Sequence, residues 1–303
     1  MVRPLTQPVS PSLALAVRTP DGTLEPVAAS WPGEARTDEP AFLKYLADLS
    51  EAARAGEVHL SFPPHVPPQI TEPGAWNLVG DQAFADEYPL SWNYLDERSP
   101  NYALKQLEKR LYLRQLAPWW DAVPQGGRVL DYGGGIGRFA SAWLDRGQHV
   151  TLAEPNANAL TLALGHLARR EPAGGRFELY NLAGESLAPL PDNTFWAVSA
   201  IEVFCYLSQP EVGMAEAARV LRPGGVLMCS VESAQGANEP GATEKRVERD
   251  MWVRYFTPET LKAALEDAGL VVERVFGTHY LPDGPLHHLI DFDRLGEPAY
   301  EHA

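Results

Sequence analysis

Val129-Leu130-Asp131-Tyr132-Gly133-Gly134-Gly135-Ile136-Gly137-Arg138-Phe139-Ala140 is the stretch on which the reading of this chain turns. An apolar pair ends in Asp131, glycines occupy positions 133, 134, 135 and 137, and a helix-compatible segment begins at once. That order is the signature of a buried strand, a tight turn and a helix N-terminus. Glycine suits such a turn because it accepts positive φ and lets a ligand approach the backbone closely. The free amides at a helix start add a polar, slightly positive lining. The stretch therefore predicts a ligand-holding turn.

Working outward, the pattern on the C-terminal side is regular. Strands are predicted over residues 128–132, 150–153, 177–180, 196–203 and 226–231, with helices over 138–146, 156–170 and 211–221 between them. Strands alternating with helices argue for a parallel sheet covered on both faces. An irregular segment of mixed charge, 232–254, follows. Thr257-Pro258-Glu259 then opens a further helix, with Thr257 as N-cap and Pro258 at the first helical position, and Gly269 ends it. Residues 270–280 and 288–294 read as two last strands joined by the turn Pro282-Asp283-Gly284-Pro285, a hairpin at one end of the sheet.

The N-terminal side is less regular. Residues 1–75 are proline-rich; strands are expected near 13–19, 23–31 and 58–62 and a helix near 39–55, which makes a small α+β appendage. Residues 76–99 are aromatic and acidic (Trp76, Phe84, Tyr88, Trp92 and Tyr94 among them), the composition of inter-element packing or of a lid. Ser99-Pro100 fits an N-cap and first helical position. The helix it opens, to about 117, is expected to bury Leu104, Leu107, Leu111 and Leu116. Three segments result: the appendage 1–75, a cap and leading helix 76–120, and the main domain 121–303.

Bulk properties narrow the function. At 303 residues the chain has room for one sizeable α/β domain plus an accessory segment. Its 45% hydrophobic and 21% charged residues are those of a globular protein. A net charge of −15 without a Lys/Arg cluster disfavours nucleic acid. Cys205 and Cys229 lie in apolar runs and read as reduced core thiols. Without a membrane-length apolar run or a signal-peptide core, the expected location is cytoplasmic.

The glycine spacing separates ligand classes. A dinucleotide fingerprint needs G-x-G-x-x-G, whereas here the glycines follow G-x-G-x-G and position 138 is Arg. No G-K-[ST] follows, so a P-loop is excluded. Glu154 ends the second strand, where a carboxylate offers paired acceptors to a diol.

With Asp131 before the glycines and Glu154 after the next strand, the chain resembles the class I S-adenosylmethionine-dependent methyltransferase family. The resemblance runs over residues 126–294 through six motifs in the family's order. Residues 129–139 look like its first motif, which would set Asp131, Gly133, Gly135 and Gly137 against the methionyl part of the cofactor and make Tyr132 either a cofactor contact or a packing ring. Glu154, followed by Pro155, looks like the ribose-binding acid. Ala183-Gly184-Glu185-Ser186-Leu187 resembles the loop beside the adenine, which implies Gly184 and Glu185 there, although members often carry Asp where Ala183 stands. Ile201-Glu202-Val203-Phe204-Cys205-Tyr206-Leu207 resembles the segment facing the reacting methyl group. It puts Glu202 near the cofactor and makes Glu202 and Tyr206 candidate catalytic groups; many relatives have His at the position of Tyr206. Arg219-Val220-Leu221-Arg222-Pro223-Gly224-Gly225 and Tyr255-Phe256-Thr257-Pro258-Glu259 resemble the two later motifs.

The resemblance implies a Rossmann-like, doubly wound α/β fold with seven mostly parallel strands. It also implies S-adenosylmethionine as cofactor and S-adenosylhomocysteine as product. The expected activity is methyl transfer to a small molecule in a biosynthetic pathway, with oxygen preferred over nitrogen as acceptor. A cofactor-sensing protein without transfer and an NAD-dependent oxidoreductase are the alternatives. His279 is a third candidate base. His287-His288 lacks spaced ligand partners, so no metal is expected, and His149 and His166 read as structural. Neither a nucleic acid nor a membrane is expected as partner; a homodimer is left open.

Overall fold

The order in which the five central strands lie side by side fixes where a ligand can sit. In a computed structural model the described residues are 14–18, 24–27, 40–56, 58–62, 93–170, 176–234, 243–246 and 252–277. Strands β4 (Arg128–Tyr132), β5 (His149–Ala153), β6 (Arg176–Tyr180), β7 (Phe195–Ile201) and β8 (Leu221–Ser230) form one sheet in the order β6-β5-β4-β7-β8. All four pairings are parallel. The chain runs outward from β4 to β6, then returns to lay β7 on the other side of β4. The carboxyl ends of β4 and β7 thus flank the switch point, where open α/β sheets hold ligands.

Helices α3 (Ala140–Asp145), α4 (Ala157–Ala168) and α5 (Pro210–Val220) connect successive strands, and α6 (Pro258–Asp267) follows them. Because strand side chains alternate, the sheet feeds two cores. Val129, Val150, Leu152 and Phe177 pack with Trp143, Leu160 and Leu164 in one of them. Leu130, Tyr132, Val198 and Ala200 pack with Phe204, Met214, Ala217 and Leu265 in the other. A sheet buried on both sides explains why these strands read as nearly continuous apolar runs.

Before the sheet come β1 (Ala14–Arg18), β2 (Leu24–Val27), α1 (Pro40–Arg54) and β3 (Val58–Ser61), the strands forming an antiparallel sheet of order β2-β1-β3. Leu43, Leu46, Leu60 and Phe62 join the same core as Leu160 and Leu164 of α4. The two helices approach closely: Ser50 Oγ donates to the Thr161 carbonyl at 2.7 Å, and a Cβ on Gly165 would lie 2.5 Å from Ser50 Oγ.

Helix α2 spans Tyr102–Trp120, and it departs from expectation at its start and on its buried face. Turns closed by Asp96 N to Asn93 O, Ser99 N to Asp96 O and Tyr102 N to Ser99 O carry the chain past Pro100, so Asn101 and not Ser99 precedes the helix. The most buried residues are Lys105, Glu108, Tyr112, Leu116 and Trp120, while the leucines at 104, 107 and 111 are only half-buried. The reason is ionic, because the charges at 105 and 108 find buried partners on the sheet.

At the C-terminal end the described residues take in only part of the hairpin expected over 270–294. Five strands make the parallel sheet among the described residues, and no strand forms over residues 271–277. Val271 is 86% exposed, and the segment is tied down by side chains: Trp119 Nε1 donates to Glu273, and Arg274 to Gln115. The strand expected from residue 270 is not made over 271–277. Residues 278–280 and the strand expected at 288–294 lie outside the described residues. Within 232–254, a short ladder pairs β9 (Glu244–Arg246) with β10 (Trp252–Arg254). The Thr257 cap forms as a full capping box with Thr260.

Candidate active site

The turn after β4 is built from backbone. Gly133 N and Gly134 N both donate to the Ala153 carbonyl, at 2.7 and 3.2 Å, so the turn is fastened to the end of β5. Gly133 has φ +62°, and a Cβ there would lie 2.5 Å from Val203 Cγ2, so only glycine fits between the turn and the end of β7. Gly135, at φ +53°, is different: a Cβ there would meet nothing within 4 Å. The backbone at 135 is thus open on the side where a side chain would stand. Gly137, also at positive φ, packs against Leu167 and Leu152.

Asp131 lies beneath the turn rather than in it. Its carboxylate accepts from Ala140 N at 2.8 Å and from Ser199 Oγ at 2.7 Å, which ties β4 to the start of α3 and to β7. Burial pushes its pKa up to about 6 against the lowering effect of those two hydrogen bonds. The Tyr132 hydroxyl donates to the Gly184 carbonyl and its ring stands edge-on to Phe204, 5.8 Å away. It packs between strand and loop. His166 contacts the Ile136 carbonyl through Nδ1 at 3.2 Å, linking the turn to α4.

Glu154 follows β5 and is 7% exposed. One oxygen accepts from Gly135 N at 2.9 Å and the other from Asn156 N at 3.0 Å. Each oxygen keeps a further lone pair, so the carboxylate can still accept from two neighbouring hydroxyls. Burial raises its pKa to about 7, opposed by the two amides. Asn181 holds this corner by donating to the carbonyls of Glu154 and Pro155, at 3.0 and 2.6 Å. Glu185 accepts from Ser208 N and Oγ at 2.9 and 2.7 Å, which pins the 183–186 loop to the segment after β7. The Leu207 side chain occupies the space a Cβ on Gly184 would need.

Across the switch point stands a second construction that sequence reasoning missed, apart from Glu202. Glu202 leaves β7 with φ +58°, unusual for a side-chain-bearing residue. Its carboxylate meets Lys105 Nζ at 2.9 and 3.2 Å. Lys105 also lies 3.1 Å from Glu108, and Arg138 Nη1 reaches Glu108 Oε2 at 2.5 Å. Both cations face the Tyr94 ring, at 5.4 and 5.6 Å. Burial would raise the pKa of Glu202, but the Lys105 and Arg138 charges outweigh it and hold the carboxyl low, so the group is ionised. Burial would lower Lys105, yet Glu202 and Glu108 keep it charged. The available signal was the 105-108-112-116-120 spacing, one helical stripe ending in Tyr, Leu and Trp.

The candidate bases are accounted for in part. Burial pushes the Tyr206 phenol well above its usual range, so it keeps its proton at neutral pH and is not available as a phenolate base. Cys205 and Cys229 are reduced, and burial raises both thiols. His279 lies outside the described residues. No helix among the described residues is long and apolar enough to cross a membrane.

The residues present fit an adenosyl-methionine ligand: an open glycine backbone at 135 and a diol-ready carboxylate at 154 lie on adjoining strand ends. Comparison with known proteins agrees. Residues 103–275 match the family model described as a methyltransferase domain. The chain is similar to a malonyl-[acyl-carrier protein] O-methyltransferase of Serratia marcescens, 34% identical over 45% of this chain and 50% of that protein. It is also similar to a ubiquinone biosynthesis O-methyltransferase of Aromatoleum aromaticum, 26% identical over 66% of this chain and 86% of that one. The chain spans about half the length of the Serratia relative. Among solved structures, the [4+2]-cyclase SpnF shares the fold, with TM-score 0.51 and 24% identity over 68% of this chain and 74% of that one. The chain belongs to the S-adenosylmethionine-dependent methyltransferase family.

Proposed function

We propose that this protein transfers the methyl group of S-adenosylmethionine to a small-molecule acceptor, an oxygen nucleophile in preference to nitrogen. The observation that carries the reading is Glu154, buried at the end of β5 with one amide on each oxygen and acceptor capacity left on both. Bound there, the cofactor would supply a methyl carbon already activated by a sulfonium. The C–S electron pair stays on sulfur, an acceptor lone pair forms the new bond, and any acceptor proton is released.

Within that reading the chain's own work is positioning and exclusion of water. Glu154 holds the ribose, and the backbone at Gly135 leaves room for the chain of the ligand. Tyr132 and Glu185 keep the 183–186 loop closed on the adenine side through Gly184 and Ser208. Glu202 is ionised but engaged by Lys105, and Tyr206 keeps its proton, so neither suits the role of a strong base. That supports an acceptor needing little deprotonation, such as a carboxylate. Two relatives being named O-methyltransferases supports oxygen.

A fold neighbour named a cyclase is a reminder that a fold does not dictate chemistry. Isothermal titration with S-adenosylmethionine, S-adenosylhomocysteine and NAD(H) tests the proposal. Binding of the first two is expected, with NAD(H) inert. Binding of NAD(H) alone overturns it, and donor binding without turnover on any carboxylate, hydroxyl or amine acceptor favours a sensing role.

A further inference from the structure

Four charged side chains, Lys105, Glu108, Arg138 and Glu202, are packed between α2, the end of the glycine turn and the end of β7. Lys105, Glu108 and Arg138 are 8%, 4% and 7% exposed. Buried ion pairs are poor stabilisers, because well-packed apolar residues of the same volume do as well or better. Fold stability therefore does not account for the cluster, and what it borders does. Glu202 occupies the left-handed region, and its neighbour Val203 abuts Gly133. The carboxylate thus stands at the switch point beside the glycine turn, the place where the proposed function puts the methyl donor.

A lone carboxylate there would distinguish donor from product by charge. The donor carries a positive sulfur and the product a neutral one, so an uncompensated anion would hold the donor in its ground state and resist the loss of that charge. Among the described residues the cluster does not present a lone anion: two cations balance two carboxylates, and Lys105 lies 2.9 Å from Glu202. We propose that Lys105 is a positioning residue that cancels the charge of Glu202, so that the protein binds donor and product with comparable strength. This rests on the methyl-transfer reading above. Tyr94 faces the same cations, and Glu232 acts on nearby Cys205 and Tyr206; none of these four groups is altered in the test.

The test is calorimetric titration of S-adenosylmethionine and S-adenosylhomocysteine into the full chain and its K105M, E202Q and K105M/E202Q variants, with folding checked by circular dichroism. K105M leaves the cluster one charge negative, and the product-to-donor Kd ratio is expected to rise about tenfold. That is the size of effect one charge exerts over roughly 10 Å at an effective dielectric of about 20. E202Q leaves it one charge positive, and the ratio is expected to fall below wild type. The double variant restores the balance and should bring the ratio back near wild type. A ratio that stays constant, or moves the same way in both single variants, overturns the inference, since a merely structural role weakens both ligands together. If K105M does not fold, E202Q and the double variant still decide the sign. Failure of the wild-type protein to bind either ligand overturns the methyl-transfer reading as well, which distinguishes the two.

Discussion

The two walls of the switch-point crevice are made in opposite ways. On the β4–β5 side the surface is backbone: glycine amides tied to the Ala153 carbonyl, with Glu154 held by amides alone. On the α2–β7 side it is side chain, four balanced charges beneath Tyr94. The first wall depends on the absence of Cβ atoms, the second on partners brought together from distant segments. A backbone wall suits a ligand whose recognition is by shape and hydroxyls. A charged wall would set the potential in which such a ligand sits.

The sharpest way to break this contrast is at Arg138. Arg138→Met leaves Lys105 to balance both Glu108 and Glu202 in a buried site and should cost about 3–5 kcal/mol in urea unfolding. A cost below about 1 kcal/mol would mean the cluster is solvated and the walls are alike. Next come the two glycines. Gly133→Ala, with its Cβ 2.5 Å from Val203 at positive φ, should destabilise by about 2–4 kcal/mol. Gly135→Ala meets no atom within 4 Å, so only the backbone cost of about 1 kcal/mol applies. Its donor Kd should nevertheless rise by roughly tenfold or more, a loss of about 1.4 kcal/mol. Equal effects of the two on stability would show that 135 is not an open face.

Glu154→Gln sharpens the contrast through pH. The variant should bind donor about 10-fold to 100-fold more weakly in titration calorimetry, because one acceptor becomes a donor. In the ligand-free protein the sign is reversed. The folded pKa, about 7, lies above the ordinary 4.5, so the contribution of this group to stability is present below pH 4.5 and is lost as pH rises through 7. Wild type should lose up to about 3 kcal/mol relative to the variant across that window, read by urea unfolding. Donor affinity of wild type should in turn fall as pH drops below 7, since the diol needs the ionised acceptor. A pH-independent affinity would remove Glu154 from the ribose role.

Legibility followed the same division. The glycine turn, Glu154 at the end of a strand and the Thr257 cap could be read because each is a local rule, a spacing or a cap enforced within a few residues. Lys105 and Glu202 are 97 positions apart, and Arg138 and Glu108 are 30 apart; no periodicity links them. Leu104, Leu107 and Leu111 misled because a stripe of apolar residues is expected to be the buried one, and here the ion pairs took that face, while Leu116 is buried as expected. Arg138 was visible only as the residue that spoils a dinucleotide fingerprint. In the fold it is the hinge between the two walls, stacked on Phe139 at 4.8 Å while reaching Glu108. The run after Gly269 reads as a strand, but a strand also needs an edge to pair with, which the local sequence cannot specify.

What the sequence by itself determined is the order of elements, the glycine turn and the carboxylate beside it, because these depend on φ, on Cβ and on local hydrogen bonding. Only the tertiary structure decided which face of α2 is buried, that Asp131 is spent on Ala140 and Ser199, and that Glu202 is neutralised by Lys105. Those outcomes depend on distances between segments remote in the chain, and on the burial that makes each charge seek a partner.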